Sequence, residues 1–185
     1  SLFSKYLPHH RIEAPPYKVN LPITAYIEIP EIRARLSTAN NEAILIIGET
    51  GAGKTRLLKE MRFEYLKQGY SVLFFVPGKS ATLKNALSDF VRSIRIQDDD
   101  NEDRFQIYEE MLQKLREYSK RVKMVVLIDD MQNLSDYELG MIRYIGYGLK
   151  DANLVFVGAS LPDARIDELG FEALNLRALN ANETN

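Results

Sequence analysis

A glycine-rich loop, Gly48–Thr55, has the residue types and the spacing that bind phosphate groups. Its sequence, Gly-Glu-Thr-Gly-Ala-Gly-Lys-Thr, fits the pattern G-x-x-x-x-G-K-[ST] at every fixed position. An apolar run ends just before the loop and a helical pattern begins within it, which is the context that this pattern requires. We predict nucleotide contacts from Gly48, Glu49, Thr50, Gly51, Ala52, Gly53, Lys54, Thr55 and the following Arg56.

The residue types in the loop indicate how it would work. Gly48, Gly51 and Gly53 allow positive φ angles and a close approach of the backbone to a phosphate. Successive N–H groups then converge on the anion at a helix N-terminus, where the helix dipole favours negative charge. Lys54 would bridge the β- and γ-phosphates and is a catalytic candidate, and the Thr55 hydroxyl would bind Mg²⁺. The complete match disfavours the alternative, a turn that binds nothing.

A second candidate site is the apolar stretch Met124–Ile128, which is followed by the acid pair Asp129 and Asp130. At the end of a buried strand, Asp129 can hold Mg²⁺, usually through water. Asp130 stands where hydrolytic P-loop ATPases usually place a glutamate that activates the attacking water, so it is our candidate for the catalytic base. Because aspartate is one methylene shorter, we expect slow turnover. The alternative is that both acids only solvate the end of a strand.

A third polar group follows the fourth apolar run, in the sequence Gly158-Ala-Ser160. In this class of sheet the fourth strand lies between the two strands that carry the motifs. Its end can therefore present Ser160 to the γ-phosphate of a bound nucleotide. The alternative is that Ser160 caps the helix that follows.

Apolar runs alternate with helical patterns along most of the chain. We predict strands at residues 43–47, 71–76, 123–128, 154–157 and 173–176. We predict helices at residues 31–39, 54–68, 81–94, 104–119, 136–149 and 163–169. This alternation indicates a three-layer α/β/α P-loop fold with a five-stranded parallel sheet in the order 5-1-4-3-2. Residues 1–25, rich in proline, are predicted to be an irregular lead-in, and residues 26–185 a single core domain.

Composition narrows the class of protein. The chain has 185 residues, a net charge of −2 and no cysteine, so disulfides and cysteine chemistry are excluded. No apolar run approaches the length of a membrane span, and we expect no membrane partner. The lack of cysteine is compatible with a cytoplasmic location, which we predict. No guanine-reading N-K-x-D segment is present, which favours ATP and ADP by default.

Three motifs in order resemble the nucleotide-binding domain of the signal-transduction ATPases with numerous domains, relatives of the AAA+ ATPases. They are Leu45–Leu58, Val125–Asp136 and Leu174–Thr184. The resemblance implies a regulatory Mg-dependent ATPase module whose nucleotide state controls effector or sensor domains in the same chain, and it allows a homo-oligomer. It also implies that residues 26–185 are a core without its helical lid, which predicts weak binding and poor hydrolysis.

Departures from this family pattern keep alternatives open. Family members often have an arginine just after the fourth strand, where this chain has Ala159-Ser160, and Arg165 is the nearest candidate. A nucleotide sensor without turnover is one alternative. Another is the transposition-helper group of AAA+ ATPases, which bind DNA as oligomers. The net charge of −2 does not favour a nucleic-acid partner.

Overall fold

A five-stranded parallel sheet in the order β2-β3-β4-β1-β5 forms the centre of the fold. Its strands are β1 (Ala43–Ile47), β2 (Ser71–Phe75), β3 (Met124–Ile128), β4 (Leu154–Ser160) and β5 (Glu172–Asn175). The predicted α/β class and the order 5-1-4-3-2 are confirmed. Strand β4 is longer than predicted, because it continues beside β1 until Ser160 pairs with Ile47.

The structure is a computed structural model, and it describes residues 26–79, 81–91 and 103–177. Its helices are α1 (Ile29–Ser37), α2 (Lys54–Lys67), α3 (Leu83–Phe90), α4 (Arg104–Ser119), α5 (Asp136–Tyr147) and α6 (Ala164–Asp167). Short 3₁₀ helices occupy Met131–Asn133 and Leu149–Asp151. The lead-in 1–25, the end of the helix predicted at 81–94, and the closing motif beyond Arg177 lie outside the described residues. The predicted domain limits therefore stay predictions.

Alternate residues of each central strand face opposite helical layers. In β3, Val126 and Ile128 join the core formed with α3, α4, α5 and α6, whereas Val125 joins the core formed with α1 and α2. Both faces of the strand are thus covered by helices, and each face excludes water by contact with apolar side chains. This two-sided burial explains why the strands appear in the sequence as continuous apolar runs.

The ends of the described domain are joined beside the first strand. Ile27 forms a parallel bridge with Leu176, and the Leu176 N–H donates to the Ile47 carbonyl over 2.7 Å. Arg35 forms ion pairs with Glu42 and Glu172, which join α1 to the start of β1 and to β5. These contacts hold the segment before α1 next to the carboxyl end of β1.

Among the helices that the structure describes, none is long and apolar enough to cross a membrane.

A glycine in β4, which has no side chain, leaves room for the turn after β3. Gly158 lies on the same face of β4 as Phe156, and a Cβ built on it would lie 1.9 Å from the Met131 sulfur. Met131 is buried and directly follows Asp130. The packing of Met131 over Gly158 therefore fixes the turn that carries the second acid.

We expect Gly158→Ala to lower the free energy of unfolding by about 1–3 kcal/mol, because the added methyl group overpacks this contact. Met131→Ala should cost about 2–5 kcal/mol through the cavity that it leaves. Urea denaturation of the two single variants and the double variant measures their coupling. The double variant should lose less than the sum of the two, since alanine at position 158 fills part of the cavity. Strict additivity would show that the two residues do not share this space.

Candidate functional site

The glycine-rich loop connects β1 to α2 with two residues in the left-handed region. Gly51 has φ +83° and Gly53 has φ +96°, and α2 begins at Lys54 with no side-chain cap on its N-terminus. Positive φ at these two glycines confirms their predicted conformational role. The uncapped first-turn N–H groups of α2 are oriented to receive an anion.

Gly48 is needed for a different reason from the one predicted, because its φ is not positive. A Cβ on Gly48 would lie 2.7 Å from the backbone oxygen of Leu176. The Gly48 N–H donates to the Ser160 carbonyl over 3.1 Å. A glycine is therefore required at position 48 because the backbone packs closely where β1, β4 and the end of β5 meet.

Lys54 is buried, and its ammonium group lies against the loop itself. Its Nζ donates to the Gly48 carbonyl over 2.6 Å and to the Glu49 carbonyl over 2.8 Å. Burial lowers the pKa of Lys54, while the nearby negative charges of Asp129 and Asp130 act in the opposite direction. These two carbonyl contacts keep the ammonium group hydrogen-bonded inside the curve of the loop.

Asp129 and Thr55 bring the two sequence motifs into direct contact. The Thr55 hydroxyl donates to Asp129 Oδ2 over 2.7 Å, and the Asp130 N–H donates to Asp129 Oδ1 over 2.9 Å. Asp129 is only 3% exposed, so these two donors satisfy a nearly buried carboxylate. The predicted metal ligands therefore lie side by side.

Asp130 has an unusual backbone conformation for a residue with a side chain. Its φ is +48° and its ψ is +47°, in the left-handed region, at the start of the 3₁₀ turn. Aspartate and asparagine tolerate this region better than longer side chains do, because a short polar side chain can bond locally. This conformation gives a physical reason for an aspartate at a position where a glutamate is usual.

An open cleft of about 1150 Å³ lies over the loop and extends along α2 as far as Glu64. Predicted residues that line it are Thr50, Gly51, Gly53, Lys54, Thr55, Arg56 and Asp130. Arg56 directs a largely exposed side chain toward Glu60, 3.3 Å away. Three predicted residues do not line the cleft: Gly48 and Ala52 are buried, and Glu49 is exposed. The Ala52 N–H donates to the Glu49 carbonyl within the loop. The cleft thus combines the loop with the end of β3.

Ser160 requires a correction, because the structure does not bring its side chain to the cleft. Ser160 is fully buried, and its hydroxyl donates to the Leu161 carbonyl over 2.7 Å. The alternative role as a helix cap is also wrong, since Asp163 accepts the capping hydrogen bond from the Arg165 N–H. Because β4 continues to Ser160, the side chain there is held within the sheet.

Gln132 and Leu161, which were not predicted as site residues, also line the cleft. The Leu161 N–H donates to the Gln132 side-chain oxygen over 3.2 Å. Gln132 belongs to the second motif, so the sequence offered a signal for it. Leu161 acts through its backbone, which no side-chain pattern reveals.

Arg165, the nearest candidate for the arginine of the family pattern, does not line the cleft. It pairs with Asp136 over 3.0 Å and donates to the carbonyls of Gln132 and Leu134. The hydrogen bond to Asp136, together with the nearby carboxylate of Asp163, raises the pKa of Arg165. Arg165 thus joins the turn after β3 to the segment after β4.

The adjacent oxygens of Thr55 and Asp129 fit a Mg²⁺ ion. Mg²⁺ binds oxygen ligands and usually takes only one or two from the protein, with phosphates and water completing its octahedron. A hydroxyl and a carboxylate within hydrogen-bond distance of each other meet that requirement, because both are oxygen ligands and lie side by side where the loop meets the end of β3.

Comparison with known protein families identifies the family of the chain. The model of the AAA domain family matches residues 38–163, which is more than half of the chain. The chain belongs to the AAA domain family. The match contains both motifs and every residue that lines the cleft except Arg33. A search of curated proteins gave no significant match.

Solved structures share the fold of this AAA domain. A chain of Drosophila ORC bound to DNA has a TM-score of 0.58 at 19% identity, over 83% of this chain and 43% of that one. A chain of Drosophila ORC bound to AT-rich DNA and Cdc6 has a TM-score of 0.58 at 12% identity, over 82% and 53%. The AAA domain therefore spans about half the length of these structures, or less. At such identities the likeness shows the fold alone.

We expect Thr55→Val to lower the free energy of unfolding of the nucleotide-free protein by about 1–3 kcal/mol, because the nearly buried Asp129 carboxylate loses a donor. Thr38→Val is a matched control, since the exposed Thr38 hydroxyl donates to the Arg35 carbonyl over 2.9 Å. That change should cost less than about 0.5 kcal/mol. Urea denaturation compares the two variants, and equal losses would contradict the importance assigned to the Thr55–Asp129 contact.

Proposed function

We propose that this AAA domain binds Mg-ATP in the cleft and hydrolyses it slowly, and that its nucleotide state controls domains linked to it. The observation that supports this best is that Lys54 and Thr55, which line the cleft, lie beside the buried carboxylate of Asp129. A cation, a hydroxyl and a carboxylate beside an uncapped helix N-terminus are together suited to a metal–triphosphate group.

Binding would use groups that the loop already orients. The α2 N–H groups and the loop backbone receive the phosphates, and the Lys54 ammonium exchanges its contacts with the Gly48 and Glu49 carbonyls for phosphate oxygens. Thr55 and Asp129 would hold Mg²⁺, which neutralises phosphate charge when bound. Because Lys54 is already buried in place, little side-chain entropy is lost when it contacts the nucleotide.

Hydrolysis would depend on Asp130, which lines the cleft from the turn after β3. As a general base, its carboxylate accepts a proton from the water that attacks the γ-phosphate. The left-handed backbone favours an aspartate here and disfavours a glutamate, so the carboxylate has one methylene less with which to reach the water. Slow turnover follows from this geometry.

A regulatory role in a longer protein is the part of the proposal that rests on sequence resemblance. The domain would pass its nucleotide state to effector or sensor domains in the same chain, in the cytoplasm. A sensor without turnover is the nearest alternative. DNA binding as an oligomer also stays a prediction, because the likeness to ORC structures supports the fold alone.

Asp130→Asn tests the base directly, because asparagine also tolerates the left-handed conformation. We expect the steady-state rate of Mg-ATP hydrolysis to fall about 100-fold or more, with the affinity for Mg-ADP changed less than about threefold. The control is Asp151→Asn, an exposed acid just before the amino end of β4, which should leave the rate unchanged. Unchanged turnover in Asp130→Asn would exclude Asp130 as the base, and no turnover in the unaltered protein would favour the sensor.

A further inference from the structure

Gln132 is a polar side chain in the cleft to which the proposed mechanism gives no task. It lies in the 3₁₀ turn Met131–Asn133, two residues after Asp130, and is partly exposed. It lines the cleft together with Lys54, Thr55 and Asp130. It lies just beyond the end of β3, in the turn that follows Asp130.

Two hydrogen bonds fix the position of Gln132. Its side-chain oxygen accepts from the Leu161 N–H over 3.2 Å, and its backbone carbonyl accepts from Arg165 Nη2 over 2.8 Å. A glutamine side chain has one acceptor oxygen and one NH₂ group with two donors. With the oxygen bonded to Leu161, the NH₂ group is what Gln132 offers to the cleft.

A donor is the kind of group that the cleft needs at this position. The neighbouring carboxylates of Asp129 and Asp130 are acceptors when ionised, and like charge makes them poor partners for phosphate oxygens. Ser160, a candidate from the sequence for this task, is buried with its hydroxyl donating to the Leu161 carbonyl. Gln132 supplies a neutral donor on the same side of the cleft.

We propose that the Gln132 NH₂ group donates a hydrogen bond to the γ-phosphate of ATP and so distinguishes ATP from ADP. This inference rests on the proposed function, because it requires a nucleotide in the cleft. ADP has no phosphate at this position and makes no such contact. Gln132 is therefore a specificity-determining residue for the nucleotide state.

Two substitutions separate recognition of the phosphate from a structural task. Gln132→Ala removes both the NH₂ donor and the oxygen that accepts from the Leu161 N–H. Gln132→Glu keeps an acceptor oxygen for the Leu161 N–H but replaces the NH₂ group with an anionic oxygen, which repels phosphate. Asn133→Ala is the matched control, since Asn133 lies in the same turn but lines a neighbouring cavity instead of the cleft.

Isothermal titration should measure the dissociation constants of Mg-ADP and of a Mg-bound non-hydrolysable ATP analogue, with thermal unfolding as a check on folding. We expect Gln132→Ala to weaken binding of the analogue about tenfold and Gln132→Glu to weaken it by more, because hydrogen bonds to charged groups are strong. Mg-ADP affinity should change less than about threefold in both, and Asn133→Ala should match the unaltered protein.

The outcomes distinguish this inference from the proposed function. Suppose that the unaltered protein binds both nucleotides and that the folded Gln132→Glu variant binds the analogue as tightly as the unaltered protein. Gln132 then only holds Leu161, and the inference is wrong. Equal weakening of the analogue and of Mg-ADP in both variants would overturn it as well. If the unaltered protein binds neither nucleotide, the proposed function fails, and the inference fails with it.

Discussion

The hydrogen bond between Thr55 and Asp129 joins two segments that are 74 residues apart in the chain. In the sheet, β4 lies between β1 and β3. The loop after β1 therefore reaches across the end of β4 to the acid after β3. In a parallel sheet the carboxyl ends of these strands lie at one edge, which is where α/β folds bind ligands. The buried Asp129 carboxylate and the buried Lys54 ammonium are then neighbours, and each is stabilised by contacts that the sheet order makes possible.

Two glycines allow the close packing that shapes the cleft. Gly48 lets the loop pack against the backbone after β5, and Gly158 admits Met131, which holds the turn that begins at Asp130. That turn requires a left-handed residue, and aspartate meets the requirement while keeping a carboxylate in the cleft. The same backbone constraint that positions the acid therefore also limits its length. Packing and chemistry are coupled at this residue.

The sequence was sufficient for the fold and for much of the candidate site. Continuous apolar runs revealed two-sided burial, and the fixed pattern of the loop located Lys54 and Thr55 at the start of a helix. The conformation of Asp130 could not be predicted, because it depends on the packing of Met131 over β4. Burial of Ser160 was missed because the sequence does not show where β4 ends. The Gln132–Leu161 bond was also missed, since its donor is a backbone group.

The central claim is that the cleft binds Mg-nucleotide and that Lys54 contacts its phosphates. Isothermal titration of the unaltered protein, Lys54→Ala and Lys59→Ala with Mg-ATP tests it most directly, since Lys59 is a lysine of the same cleft five residues further along α2. The account predicts one nucleotide per chain for the unaltered protein and for Lys59→Ala. It predicts that Lys54→Ala lowers the affinity for Mg-ATP at least about tenfold, because the ammonium group of Lys54 lies in the loop where the phosphates bind, whereas that of Lys59 does not. Failure of the unaltered protein to bind, or equal affinity in Lys54→Ala, would contradict it.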